Sequence, residues 1–485
     1  MIRMRVMLVL LCCALSLPAL AANRFILRPA SGGNVSDVAG RHGLTVLGAL
    51  DSASTVYSVV ASDMLTPTSV ISDCSGDSGI THIEQDQATL LPERNASALL
   101  NQSTTAILDQ LHTHVMTTWF GQQVPQYYAV QTAVSQIHLD QAQNNFGASG
   151  VGTVVAIIDT GIDPNHPVLA ASVVPGYDFT RNVAGIPNEL ADVSTATAAA
   201  LTQSTTAILD QRNLAILNQS TTAILDQSTT AILDQSTTAI LDHLPEAFGH
   251  GTMVAGVIHL AAPKAQLMPL KAFAANGTGE LSDILRAIYY AIDHGANVIN
   301  MSFSLDSSST ELVNAIGLAQ NKNVITVAST GNTGLGTVAF PAALQKVIGV
   351  ASVDGSGNRS AFSSFGTGTW IAAPGEEVIT TYPGGHYAAA SGTSFSAPLI
   401  SGGSALVKQF MPTANYSNVS AGLACNRKLS ADMGYGVADL SQTVQWAAKN
   451  VTGSTSGSGG TSGGSGSTSG GSTASTAKTA IVLKH

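Results

Sequence analysis

The residues Gly152-Thr153-Val154-Val155-Ala156-Ile157-Ile158-Asp159-Thr160-Gly161 decide how the chain is built. Residues 152–158 make an apolar run with no alternation of polar side chains. A strand of that kind is covered on both faces, as in a parallel sheet between helical layers. The run ends on Asp159, so a carboxylate stands at the carboxyl end of the strand. The same theme continues downstream. Residues 281–294 read as a helix stopped by Gly295, 298–301 as a strand, 310–321 as a helix, and 324–328, 347–351 and 370–373 as further strands. Strand and helix alternating at short spacing predict an α/β fold: a mostly parallel sheet with helices on both faces and active residues at strand carboxyl ends.

A chain of 485 residues is too long for one typical domain. Hydrophobic residues at 45% support a sizeable core. Charged residues reach only 10%, well under the usual quarter, and Ser, Thr, Gly and Ala take their place, which suits an exported protein. The net charge of -10 and the lack of a basic patch exclude nucleic acid as a partner class. Residues 1–21 read as a signal peptide: Arg3 and Arg5 precede an apolar run at 6–17, and Ala19-Leu20-Ala21 fits the cleavage rule. That run is too short for a membrane span, and none is expected in the mature form. The expected location is secreted or at the cell-envelope exterior. Cys12 and Cys13 fall in the signal. Cys74 and Cys425 fall on different pieces, so the mature chain is expected to hold one free cysteine and no internal disulfide.

Residues 22–94 read as a small α+β unit. Strands at 24–27, 44–50, 55–60 and 80–86, with a helix at 66–72, follow the split βαβ plan. Residues 95–133 read as a linker. It carries the octad Gln102-Ser103-Thr104-Thr105-Ala106-Ile107-Leu108-Asp109, which returns at 203–210, 219–226, 227–234 and 235–242, with a divergent copy at 211–218. A period of eight does not close on a helical turn; each Ala-Ile-Leu would drift by about 80°. A short strand with an Asp-Gln-Ser turn fits equally well. The octads are expected to form a surface insertion over about 182–245, inside a domain spanning 134–449. Residues 450–477 read as a Gly/Ser/Thr-rich linker and 478–485 as a short tail.

The chemistry gathers in four places. Asp159 closes its strand. Gly249-His250-Gly251-Thr252 sets an imidazole at the start of a helix. Ser391-Gly392-Thr393-Ser394-Phe395-Ser396-Ala397-Pro398 sets a hydroxyl at the first turn of another, where backbone N–H groups are free. Ser329-Thr330-Gly331-Asn332 brings a carboxamide to the end of strand 324–328. Together they supply a nucleophile (Ser394), a base (His250) and an orienting carboxylate (Asp159). The Asn332 side chain and the Ser394 N–H supply the oxyanion donors. A metal is not indicated at His250, because no second ligand lies at metal spacing.

The order Asp…His…Ser, with Asp-Thr-Gly, Gly-His-Gly-Thr and Gly-Thr-Ser-Phe-Ser-Ala-Pro, resembles the subtilisin-like serine proteases over about 136–448, the octads excepted. The resemblance implies a secreted endopeptidase acting on extended polypeptides through an acyl-enzyme. It also implies that residues 22–94 are an inhibitory pro-segment, a partner of the mature domain until self-processing within about 92–135. Met301-Ser302-Phe303-Ser304 resembles the strand that pairs with substrate backbone, so Ser302, Phe303, Ser304 and Ala339 are assigned to substrate binding. Ser304 replaces the usual glycine and narrows the pocket. Ala339 forms its base, with Phe340-Pro341 behind. No acidic residue is evident there, and apolar or medium-sized side chains are the expected preference. No cofactor is required for the chemistry. Structural calcium is left open, but its usual site is expected to be absent, since Pro167-Val168 follow His166 where the family often has Asp. The competing reading is a proteolytically idle surface or adhesion protein with the octads as its working part.

Overall fold

The computed structural model describes residues 23–91, 115–203, 244–425, 427 and 429–452. The expected signal peptide, the octad at 102–109, the octads beyond Gln203, the Gly/Ser/Thr-rich linker from 453 and the tail lie outside the described residues, and residues 450–452, assigned to that linker, end a helix instead. The chain divides into two units, Met1–Ala88 and Thr89–His485.

The first unit runs β1 (Arg24–Pro29), α1 (Val35–Arg41), β2 (Thr45–Ala49), β3 (Tyr57–Val60), α2 (Pro67–Cys74) and β4 (Ile80–Gln85). Its sheet has the order β2-β3-β1-β4, with β1 antiparallel to both β3 and β4. Both helices begin where a side chain closes the free N–H groups: Asn34 accepts from Ser36 N, and Thr66 forms a capping box with Ser69. Phe25, Leu27, Val59 and Ile83 from the strands meet Val38, Val70 and Cys74 from the helices in one core.

The second unit opens with β5 (Ala88–Leu90), which straddles the boundary, and continues with β6 (Met116–Trp119), β7 (Gln122–Pro125), α3 (Gln126–Ala129), α4 (Thr132–Gln136) and α5 (Leu139–Phe146). Then come β8 (Val154–Asp159), β9 (Gly176–Asp178), β10 (Val183–Gly185), a 3-10 turn (Glu189–Asp192), α6 (Thr195–Gln203), α7 (His250–Ala261), β11 (Gln266–Lys271), β12 (Thr278–Glu280) and α8 (Leu281–Asp293). The remaining elements are β13 (Val298–Met301), α9 (Thr310–Asn321), β14 (Ile325–Ser329), β15 (Ile348–Val353), β16 (Thr369–Pro374), β17 (Val378–Tyr382), β18 (His386–Ala390), α10 (Thr393–Phe410), α11 (Tyr416–Leu423) and α12 (Leu440–Thr452).

The large sheet has the order β10-β9-β11-β8-β13-β14-β15-β16 and is parallel except for β10, which runs antiparallel to β9. This is the expected α/β fold. β8 lies between β11 and β13, and the register pairs Asp159 with Lys271 and Ile158 with Met301, so the carboxyl ends of these strands line up. Helix α7 is buried at every residue. It packs on α10 so closely that a Cβ on Gly402 would stand 2.3 Å from the Ala261 Cβ.

Two expected boundaries need correction. The linker assigned to 95–133 ends earlier, since residues 115–133 are built into the second unit. Tyr128 has no exposed surface, donates its hydroxyl to Gly256 O at 2.7 Å, and lies with Trp119 against the His259 ring. Gln131 pairs with the β17 backbone as a strand residue would, donating to Ile379 O at 2.8 Å and accepting from Ile379 N at 2.9 Å. Short elements with Gln and Tyr at their inward positions carry no clean hydrophobic period, which is why they read as linker. The insertion also begins later than about 182. Residues 183–185 pair with β9, and Glu189 is wholly buried.

Tyr128→Ala should destabilise the second unit by about 3–5 kcal/mol, the usual cost of truncating a buried aromatic ring. A thermal melt of the full chain with an unchanged midpoint would return residues 115–133 to the status of a linker.

Candidate active site

The site is built where the carboxyl end of β8 meets the start of α7. Gly249 adopts φ 88°, and a Cβ on it would lie 2.4 Å from the Tyr382 ring. A Cβ on Gly251 would lie 2.1 Å from Gly161 O. Both positions therefore require glycine, and the two turns meet backbone to backbone. This contact brings His250 Nδ1 to 2.7 Å from Asp159 Oδ1, with neither side chain exposed. The same Asp159 oxygen accepts from Thr160 N at 2.7 Å. Nδ1 held against a carboxylate leaves Nε2 as the nitrogen that can take a proton.

Ser394 is the second residue of α10, behind Gly392 at φ 148°. Pro398 stands four residues on and has no N–H, so the Ser394 carbonyl loses its helical partner. Ser302, just past β13, fills that vacancy by donating its hydroxyl to Ser394 O at 2.9 Å. Ser302 accepts in turn from Asn300 Nδ2 at 2.9 Å, and Asn300 Oδ1 accepts from Ser401 at 2.8 Å. Ser394 Oγ donates to Ser302 O at 3.2 Å. The next residue, Phe395, lays its ring 5.7 Å from the His250 ring, which brings the two helix starts together.

Asn332, past β14, is held by its carbonyl oxygen. Thr393 donates to Oδ1 twice, from N at 2.9 Å and from Oγ1 at 2.8 Å. With that oxygen committed, the amide nitrogen turns away from Thr393. Phe395 N is committed to Gly392 O at 3.0 Å, whereas the Ser394 N–H has no acceptor among the described residues.

The residues assigned to substrate binding separate into two groups. Phe303 is wholly buried against Phe273, and the Ser302 hydroxyl is spent in the chain beneath Ser394; both are assigned through the backbone of their strand rather than through these side chains. Ser304 and Ala339 do converge. A Cβ on Gly331 would meet Ser364 Oγ at 3.2 Å, Ala339 Cβ at 3.4 Å and Ser304 Oγ at 3.7 Å. A buried carboxylate, Glu189, reaches the Asp-Thr-Gly turn and the start of α7, and sequence reasoning missed it. It belongs to no motif and lay in the stretch assigned to the octad insertion.

At the position of the usual calcium site, Val168 and Leu169 are core residues. The nearby Asp163 is committed to Asn165 N at 2.9 Å and Gly384 N at 2.8 Å. Among the described residues, His42, Asp73 and Cys74 of the first unit are close enough to share a metal. The donor set fits one poorly. His42 is already bound by Asp73 at 2.6 Å and Asp77 at 2.9 Å, and burial pushes the Cys74 thiol up to about 11.

Comparison with known proteins gives this geometry its context. A model described as the subtilase family matches residues 150–470. The chain belongs to the subtilase family. This subtilase is 33% identical over 256 residues to a thermophilic serine proteinase of Bacillus sp. (strain AK1), covering 53% of this chain and 52% of the relative. It is 39% identical over 180 residues to subtilisin Savinase of Lederbergia lenta, covering 35% of this chain and 66% of the relative. The chain thus spans about half to two thirds of the length of these curated relatives. It shares its fold with fervidolysin from Fervidobacterium pennivorans, described as a keratinolytic enzyme related to subtilisin. That match has a TM-score of 0.60 and 20% identity, and covers 87% of this chain and 61% of fervidolysin.

Replacing Asn300 by Leu would strand the Ser302 and Ser401 hydroxyls without their partner. The expected cost is about 1–3 kcal/mol of stability. A denaturation midpoint equal to wild type would show that the chain beneath Ser394 carries no weight.

Proposed function

We propose that this subtilase is a secreted serine endopeptidase, made as a precursor that processes itself. The observation that carries the reading is the buried Asp159–His250 bond of 2.7 Å, with Ser394 held at a helix start one residue from the ring that touches His250. In this reading Ser394 attacks the acyl carbon, and His250 takes its proton and returns it to the leaving amine. Asp159 holds the tautomer and stabilises the imidazolium. The Ser394 N–H and the turned-out amide of Asn332 receive the oxyanion. The chemistry calls for no cofactor.

Extended polypeptide as substrate is supported by the chain's own residues 89–91, which lie along the second unit as an added strand. Leu90 forms an antiparallel bridge with Ser304, Thr89 Oγ1 donates to Ser304 O at 2.8 Å, and Leu91 N donates to Gly277 O at 3.0 Å. Backbone pairing of this kind accepts many sequences. It also suits a precursor whose residues 22–94 act as an inhibitory pro-segment, with the cut following within about 92–135. Export rests on the signal-like residues 1–21. No helix among the described residues is long and apolar enough to cross a membrane.

A fluorophosphonate probe should label Ser394 of the purified protein. The Ser394→Ala protein should remain both unlabelled and uncut. Absence of labelling in wild type would overturn the reading in favour of a proteolytically idle protein. Asn332→Ala should lower kcat by about 10²–10³, the size of effect known for one oxyanion donor in this family rather than one calculated from this geometry. An unchanged kcat on a peptide substrate would place the oxyanion elsewhere.

A further inference from the structure

Glu189 is wholly buried and is surrounded by donors. Thr160 Oγ1 donates to its Oε1 in a very short contact, and Gly251 N donates to the same oxygen at 3.3 Å. Thr252 donates to Oε2 twice, from N at 3.1 Å and from Oγ1 in another very short contact. Thr160 Oγ1 also accepts from Gly251 N at 2.9 Å and reaches Asp159 Oδ1 at 3.2 Å, and Thr252 Oγ1 accepts from Asp163 N at 2.8 Å. Four donors converging on two oxygens are the pattern that favours a carboxylate.

The position of this charge is specific. The residue that caps α7, Gly249, has no side chain, so the free N–H groups of Gly251 and Thr252 are closed from outside the helix by Glu189. Its other contact, Thr160, belongs to the turn that holds Asp159. One carboxylate therefore ties the residue after Asp159 to the two residues after His250. Burial pushes the Glu189 carboxyl up from the usual carboxylate range, and the bonds from Thr160 and Thr252 oppose that shift. The nearby cation is Lys271, whose Nζ is committed to Thr160 O at 2.7 Å, Phe273 O at 2.7 Å and Asp192 at 2.9 Å.

We propose that Glu189 is a positioning residue for the Asp159–His250 pair: a second buried carboxylate that locks the two turns in register and stabilises the imidazolium from behind Asp159. This inference rests on reading His250 as the base and Ser394 as the nucleophile. Glu189→Gln keeps the shape but sets an amide NH2 against the two donors at one of the two oxygens and removes the charge.

The test is the rate at which a short alkyl fluorophosphonate labels Ser394, measured across pH on preparations with the same N-terminus by intact mass. The expected result for Glu189→Gln, folded by its thermal melt, is about a tenfold slower rate. The acid limb should move to lower pH, because one less negative charge faces the imidazolium. Glu189→Asp should return the limb towards wild type. A folded Gln variant that labels at the wild-type rate overturns the inference. So does a slower rate with an unmoved limb, which looser packing alone would give. If Glu189→Gln does not fold, Thr252→Val decides: slower labelling in a folded protein supports the link, and a wild-type rate overturns it. No labelling of wild type would instead defeat the reading of Ser394 as nucleophile, leaving the two failures distinguishable.

Discussion

The backbone contact between Gly251 and Gly161 is the constraint on which the site depends. No side chain fits between the two turns, since a Cβ on Gly251 would stand 2.1 Å from Gly161 O. The contact sets the start of α7 directly against the turn that follows β8. Buried polar groups are costly unless fully satisfied. At this junction Asp159 Oδ1, His250 Nδ1, Thr160, Thr252 and Glu189 hydrogen-bond to one another, whereas Asp159 Oδ2 has no partner among the described residues. The glycines supply the proximity, and the polar groups then have little freedom to settle in any other arrangement.

The second half of the site follows a different rule. Pro398 withdraws one helical hydrogen bond from Ser394 O, and Ser302 takes it over. The start of α10 is thereby joined to the end of β13 instead of to its own next turn. Thr393 joins it likewise to the end of β14 through Asn332. Because β8, β13 and β14 are parallel neighbours or next neighbours, their carboxyl ends lie together. Residues far apart in the chain are thus delivered to one edge of the sheet.

Much of this was legible beforehand. The apolar run at 152–158 and the alternating segments at 298–301 and 310–321 announce themselves by period and length, and the structure has strands and helices at or within a few residues of each. The regions that misled share one property: their burial is polar or aromatic. Tyr128, Gln131 and Glu189 reach the interior through hydrogen bonds, which leave no periodic trace.

By itself the sequence determined the α/β class, the order Asp159, His250, Ser394, and the glycines and proline that make their turns possible. These are local matters: a two-face apolar strand, a backbone that tolerates no Cβ, a residue that lacks an N–H. The tertiary structure alone decided that Glu189 closes the start of α7, that residues 115–133 belong to the second unit, and which way Asn332 turns its amide. Each depends on a hydrogen bond between segments distant in the chain. Such a bond is set by the packing of the sheet and helices, and no local preference encodes it.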